Sequence, residues 1–203
     1  MSAGISAKTT GTPVIIKELS ARIRIRLAGY LFYVAKGGSI EFRGGPPLID
    51  GYWPDISNYF GTIIFGSKCI VRSFRLRPCI TALQGGVLDI GANAYINDGV
   101  NICASRSIKI GASAKIGDMV YIYDSDYHAV SPAAVVKQKP VSIGKNVWIG
   151  AKSLVLAGSC IGDHSVIAAG SVVTGEIPPK SIAAGSPARV IKTFEAPDDW
   201  IRA

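Results

Sequence analysis

Aliphatic residues stand six apart at Ile143, Ile149, Val155, Ile161, Ile167 and Val173. About a quarter of the chain is Ile, Leu or Val, so such a run arises by chance on the order of once in four thousand trials. Small residues follow several rungs (Gly144, Gly150, Gly162, Ala168), and Val147, Ser153, Ser159, Ser165 and Ser171 stand four places after a rung. An amphipathic helix needs apolar spacing near 3.6 and a half-buried strand needs spacing of two. Spacing of six with small residues instead suits short flat strands joined by tight corners. Three such sides make one coil of a prism. The aliphatic residue of each side points inward, and successive coils pair as parallel strands about 4.8 Å apart.

The same step recurs upstream at Ile64, Ile70, Leu76, Ala82 and Leu88, then at Ile90, Ile96, Ile102 and Ile108, then at Ile110, Ile116 and Ile122. Two-residue shifts separate these runs, and an excursion from Tyr123 to Val141 leaves the ladder. The fold class expected is all-β, a parallel β-helix of hexapeptide repeats with an N-terminal helical or irregular extension. The boundaries expected are an extension over 1–62, the β-helix over 63–192 and a tail over 193–203.

A prism has open ends that need covers. Residues 17–35 place Leu19, Ile23, Leu27, Tyr30, Leu31 and Val34 at helical spacing, which predicts a basic amphipathic helix. Arg22, Arg24 and Arg26 also alternate with Ile23 and Ile25, as a strand would. Such a helix rests on the prism end or on an anionic membrane surface. Residues 1–13 read as a loose tail, and Gly37 to Gly61 as irregular connection. Pro178-Pro179 reads as the stop of the ladder, and Phe194 to Ala203 as a cap on the last coil.

Composition narrows the function classes. The chain has 203 residues, 48% hydrophobic and only 18% charged, which fits one folded domain and excludes disorder. The apolar stretch Leu27–Ala35 is too short to span a bilayer and lacks the flanks of a signal peptide. Four cysteines form no CxxC pair, which suits a reducing cytoplasm. Two histidines, His128 and His164, are too few for a three-histidine metal site, so no metal is expected and a zinc hydratase is excluded. Residues 1–77 carry eleven Lys and Arg against four Asp and Glu, while the remainder carries eleven against ten. The basic excess sits in the N-terminal third and favours an anionic partner or simply solubility. No nucleic-acid-binding module accompanies it, so no nucleic acid is expected.

Two stretches, VSIGKNVWIG (141–150) and IPPKSIAAGSPARVI (177–191), join the hexapeptides in a specific likeness. Over residues 63–192 the chain resembles the left-handed β-helix hexapeptide acyltransferases. It is most similar to sugar O-acetyltransferases of the galactoside, maltose and saccharide-modifying type. The resemblance supplies the left hand of the coil, which periodicity does not. It also implies a homotrimer with active sites between subunits, acetyl-CoA as co-substrate and a saccharide or glycan acceptor.

The resemblance places the catalytic histidine at His128, before the projecting loop Ala129–Pro140. Imidazole titrates near neutrality and can take the proton of an attacking sugar hydroxyl. Asp126 stands two residues earlier, so on an extended segment it shares a face with His128 and could fix its tautomer; Asp124 continues that face. By the same likeness Tyr95 and Asn97 are acceptor-site residues, alongside Asp124. Trp148 walls the pantetheine arm, Ala151 and Ala169 line the coenzyme groove, Thr174 contacts the coenzyme, and Arg189 and Lys192 sit near its phosphates. Gly175 stands where relatives often carry a lysine. His164 falls at a variable corner position and reads as structural.

The function expected is acetyl-CoA-dependent O-acetylation of a saccharide, in the cytoplasm or peripherally at the inner face of the membrane. N-acetylation of a nucleotide-linked amino sugar or of an antibiotic is the rival within the enzymes. A non-catalytic assembly prism is the rival outside them, and it predicts no coenzyme A binding.

Overall fold

The computed structural model describes residues 39–202. The amphipathic segment expected over 17–35 and the tail over 1–13 lie outside the described residues. The described residues wind into a parallel β-solenoid of six complete three-strand coils. The first holds β1 (Ser39–Arg43), β2 (Leu48–Gly51) and β3 (Asp55–Asn58). The second holds β4 (Thr62–Gly66), β5 (Ile70–Ser73) and β6 (Cys79–Ala82), and the third β7 (Val87–Ile90), β8 (Tyr95–Ile96) and β9 (Asn101–Ala104). The fourth holds β10 (Ser107–Ile110), β11 (Lys115–Ile116) and β12 (Tyr121–Tyr123), and the fifth β13 (Val141–Ile143), β14 (Trp148–Ile149) and β15 (Leu154–Val155). The sixth holds β16 (Cys160–Ile161), β17 (Val166–Ile167) and β18 (Val172–Val173); then come β19 (Glu176–Ile177), β20 (Ser181–Gly185) and β21 (Ala188–Thr193). Every third strand pairs, so three sheets form three faces. Face A runs from β1 to β19, face B from β2 to β20, and face C from β3 to β18; β21 folds back antiparallel on β20.

Register explains the ladder. Face A stacks Phe65, Ile90, Ile110, Ile143, Ile161 and Ile177. Face B stacks Val71, Ile96, Ile116, Ile149, Ile167 and Ala183. Face C stacks Ile80, Ile102, Ile122, Val155 and Val173. All of these side chains are buried. Each isoleucine, valine and phenylalanine among them is worth about 1.5–3 kcal/mol relative to exposure. Ala183 extends the face B column past Pro178-Pro179, so the prolines do not end the stack.

Three expectations are corrected. Among the described residues the solenoid is already formed at Ser39, inside the stretch read as irregular, with Ile40, Ile49 and Ile56 as inward residues. Their spacing of nine and seven hides them from a six-residue scan. The first upstream run holds only in part: Ile64, Ala82 and Leu88 are buried, but Leu76 is 50% exposed, Ile70 is half-buried, and the fully buried inward residues of β4 and β5 are Ile63, Phe65 and Val71. The cause is coil length. Ile143 pairs with Ile161, 18 residues on, but Ile63 pairs with Leu88, 25 on, and Leu88 with Ile108, 20 on. A fixed step therefore slips out of phase. Finally, Phe194–Arg202 does not cover the last coil; it lies along the A–B edge, where Asn146 Nδ2 donates to Trp200 O at 2.9 Å and Arg202 N to Asn146 Oδ1 at 2.9 Å.

The corners assign small residues a different task from the one expected. From the second coil on, left-handed backbone along the A–B edge falls on Lys68, Asn93, Ser113, Asn146, His164 and Lys180, one per coil and all non-glycine; in the first coil it falls on Gly44 and Gly45. Glycine instead makes room. A Cβ on Gly144 would lie 2.7 Å from Asp163 N and 2.9 Å from Asp163 Cα, backbone of the next coil. The fifth-position serines close the corners: Ser153 Oγ donates to Gly150 O at 2.8 Å and Ser171 Oγ to Ala168 O at 2.7 Å. Gly144→Ala is therefore expected to cost about 1–3 kcal/mol by denaturant unfolding, because the next coil must shift. Gly175→Ala, with open space and no left-handed φ, is the control and should be close to neutral.

Candidate active site

His128 emerges where the excursion leaves face C. Strand β12 ends at Tyr123, and the neck of the excursion is closed by backbone bonds. Lys139 N donates to Asp124 O at 2.9 Å, and Asp126 N to Lys137 O at 3.0 Å. Asp124 anchors this neck. It is fully buried, and its carboxylate accepts Ser105 N at 2.7 Å, Arg106 N at 2.7 Å and Ser107 N at 2.6 Å. That carboxylate is committed to the corner of the preceding coil, which takes it out of the set of acceptor ligands.

Beyond the neck the chain turns rather than extends. Tyr127 is left-handed at φ 59°, and His128 N donates to Asp126 O at 2.7 Å across it. The shared-face argument for Asp126 and His128 needs an extended segment and so does not hold. No side-chain bond joins them within the chain, and both are exposed. Tyr127 is tied back to the solenoid: its hydroxyl donates to Cys103 O at 3.5 Å, and its ring meets Tyr123 edge-on at 5.9 Å. Burial pushes the Tyr123 phenol up to about 12, with the neighbouring Tyr121 adding to the effect. Burial likewise raises the Cys103 thiol. At neutral pH these groups are uncharged, and Cys103 is no thiolate nucleophile.

The remaining site residues fall on two edges of face C. Asn97 follows β8 on the B–C edge, with Ala151 two coils and Ala169 three coils further along. Tyr95 and Trp148 lie nearby on the outer side of face B, in register through Lys115. Arg189 and Lys192 are exposed on β21, against β20 of the same face. His128 and Thr174 follow β12 and β18 on the opposite, C–A edge, both exposed. A strand of two to four residues with its flanking backbone, on the order of 10 Å, separates the two edges.

His164 is 2% exposed at the A–B edge, where its Nδ1 meets Asn146 Nδ2 at 2.9 Å and its ring stacks on Trp200 at 6.0 Å. The Asn146 amide nitrogen can only donate, so Nδ1 is the acceptor. Arg202 Nη2 donates to His164 O at 2.9 Å, and the guanidinium lies 6.0 Å from the centre of the Trp148 ring. Sequence reasoning did not foresee this clamp, because its partners lie 18 to 56 residues apart. Among the described residues no helix is long and apolar enough to cross a membrane.

Comparison with known proteins agrees with this architecture. Residues 140–175 match the family described as bacterial transferase hexapeptide (six repeats). Galactoside O-acetyltransferase of Escherichia coli K12 is 35% identical over 126 residues, 61% of this chain and 62% of that protein. The WbbJ protein of the same organism, provisionally described as a lipopolysaccharide biosynthesis O-acetyl transferase, is 32% identical over 66% of this chain and 73% of its own. The polysialic-acid-specific acetyltransferase NeuO superimposes with a TM-score of 0.53 at 26% identity, over 79% of this chain and 74% of its own. A Vibrio cholerae hexapeptide-repeat acetyltransferase crystallised with acetyl coenzyme A shares the fold at 21% identity, with a TM-score of 0.53 over 93% of this chain and 94% of its own. The chain thus belongs to the hexapeptide-repeat acetyltransferases related to the galactoside and maltose O-acetyltransferases. Its match spans about three fifths of the galactoside enzyme's length.

Asp124→Ala should leave three buried N–H groups unpaired and cost on the order of 3 kcal/mol in urea unfolding. Asp126→Ala, at an exposed site, should change stability little; equal costs would contradict the anchoring role.

Proposed function

We propose that the chain transfers the acetyl group of acetyl-CoA to a hydroxyl of a saccharide, at sites shared between copies of a homotrimer. The observation that carries this reading is the division of the site residues between the two edges of face C. One chain cannot fold its C–A edge onto its own B–C edge, because a rigid strand layer lies between them. A second copy can, with His128 and Thr174 of one chain meeting Asn97, Ala151 and Ala169 of the next.

The surface chemistry of face C supports the arrangement. From the second coil on, its outward column reads Cys79, Asn101, Tyr121, Leu154 and Val172, without a charge; Asp55 heads the column in the first coil. The corresponding column of face A holds Asp89, Lys109 and Glu176. An uncharged face turned toward the other copies costs little to desolvate. The relatives named for O-acetylation of galactosides and of polysialic acid support a saccharide as acceptor.

The chemistry asks little of the protein. The neutral His128 imidazole takes the proton of the acceptor hydroxyl as its oxygen attacks the thioester carbonyl. The tetrahedral intermediate collapses, the C–S bond breaks, and the proton passes to the coenzyme A sulfur. The acetyl ester stays on the sugar. Ala151 and Ala169 line the groove with backbone groups, Trp148 flanks the pantetheine arm, and Thr174, Arg189 and Lys192 bind toward the nucleotide end. The amide-forming alternative differs only in the acceptor atom, and mass analysis of the product separates ester from amide.

His128→Ala should lower turnover by about 10²–10⁴-fold, while sedimentation still reports a trimer and calorimetry an unchanged affinity for coenzyme A. Activity near the wild-type level would overturn the base assignment.

A further inference from the structure

The tail after β21 is fastened along the A–B edge at several points. Lys180 Nζ meets Asp198 Oδ1 at 2.9 Å, and Lys145 Nζ donates to Asp198 O at 2.9 Å. Trp200 N donates to Pro197 O at 3.1 Å. The end of the tail is held by Asn146, which donates to Trp200 O and accepts Arg202 N, both at 2.9 Å. Asn146 is fully buried and meets the buried His164 ring through the same amide nitrogen. The tail is therefore strapped to the prism wall itself. Bonds to buried partners hold more firmly than ion pairs in water.

The strap delivers the Arg202 side chain to a defined place. Its guanidinium carbon lies 4.7 Å from the centre of the Trp200 ring and 6.0 Å from that of Trp148. Nη2 donates to His164 O at 2.9 Å, while Nε is buried and meets no acceptor. An arginine kept for solubility turns its N–H groups to water. This one forgoes a hydrogen bond to lie between two indoles, whose ring faces attract the cation. Its backbone is tied to Asn146 and its Nη2 to the His164 carbonyl, so the guanidinium reaches Trp148 from the A–B edge.

Trp148 gains a fixed neighbour from this. It stands on the outer side of face B, with Lys115 one coil back and Val166 one coil on, and it is 46% exposed. Parallel pairing fixes its backbone but leaves an outward indole a choice of rotamers. Arg202 fills the A–B side of the ring. The ring is thereby kept toward the B–C edge, where Ala151 stands three residues further along the chain.

We propose that Arg202 is a positioning residue for the coenzyme: it braces the Trp148 indole, so that the C-terminal strap completes the wall along which the pantetheine arm lies. The proposal rests on the reading of Trp148 as that wall. Bracing reduces the side-chain freedom that Trp148 loses when the coenzyme binds. Arg202 itself touches neither the thioester nor the acceptor.

The test is a double-mutant cycle on the full chain, read by calorimetry with coenzyme A. Arg202→Ala and Arg202→Gln should each weaken binding by about fivefold. Trp148→Ala should weaken it at least as much, and adding Arg202→Ala to Trp148→Ala should cost little more. Lys180→Ala cuts another tie of the tail without touching either indole and should leave the affinity unchanged. Urea unfolding checks that every variant is folded where binding is measured. Wild-type affinity in both Arg202 variants, a loss that persists in full on the Trp148→Ala background, or an equal loss from Lys180→Ala would overturn the brace. Unchanged affinity in Trp148→Ala would overturn it together with the reading of Trp148 as the wall. Failure of the wild-type chain to bind coenzyme A would overturn the acetyl-transfer reading as well.

Discussion

The contact of one coil's backbone with the next governs the rest of this molecule. Parallel pairing fixes the separation of the coils, and that separation leaves no room for a Cβ where Gly144 faces Asp163. Stacked corners follow from it, and so do the inward columns of isoleucine and valine. Aspartates exploit the same stacking. Asp98 receives the corner N–H groups of residues 74 and 75, Asp124 those of 105 to 107, and Asp163 that of Lys145. Each bonds the coil before its own, so corner geometry is locked from one turn to the next.

This regularity made part of the fold legible in the sequence. From Ile143 to Val173 the coils hold 18 residues, and the six-residue step reads directly as three inward columns. Upstream, longer corners carry the chain out of phase, and the residues that stay in the core (Ile63, Val71, Ile80) are found only from strand pairing. The first coil was missed for the same reason. The C-terminal clamp was out of reach of periodicity altogether: it depends on Asn146, His164, Trp200 and Arg202 meeting across distant parts of the chain.

Among the candidate functional residues, His128 was singled out in the sequence by the family likeness, which puts a histidine just before the projecting loop. Asp124 and Asp126 were read by alternation, which fails where Tyr127 turns the backbone into the left-handed region. Asp124 proved to be a structural anchor. Asp98 carried no signal in sequence beyond an aspartate after a strand, and it proved to hold the corner N–H groups of Phe74 and Arg75. A prism puts residues far apart in sequence on one edge, and puts residues close in sequence on different edges. The second property is the reason the proposed site takes His128 and Asn97 from two chains.

The central claim is that each site draws His128 from one chain and Asn97 from another. The most direct test co-expresses His128→Ala chains with Asn97→Ala chains under separate affinity tags and assays the doubly tagged population and the unselected mixture. Each variant alone should be nearly inactive. An equal, randomly assorted mixture should regain about one quarter of wild-type activity, because one chain can lend its histidine where its neighbour lends its asparagine. A mixture as inactive as either parent, or an Asn97→Ala protein that is fully active alone, would contradict the account.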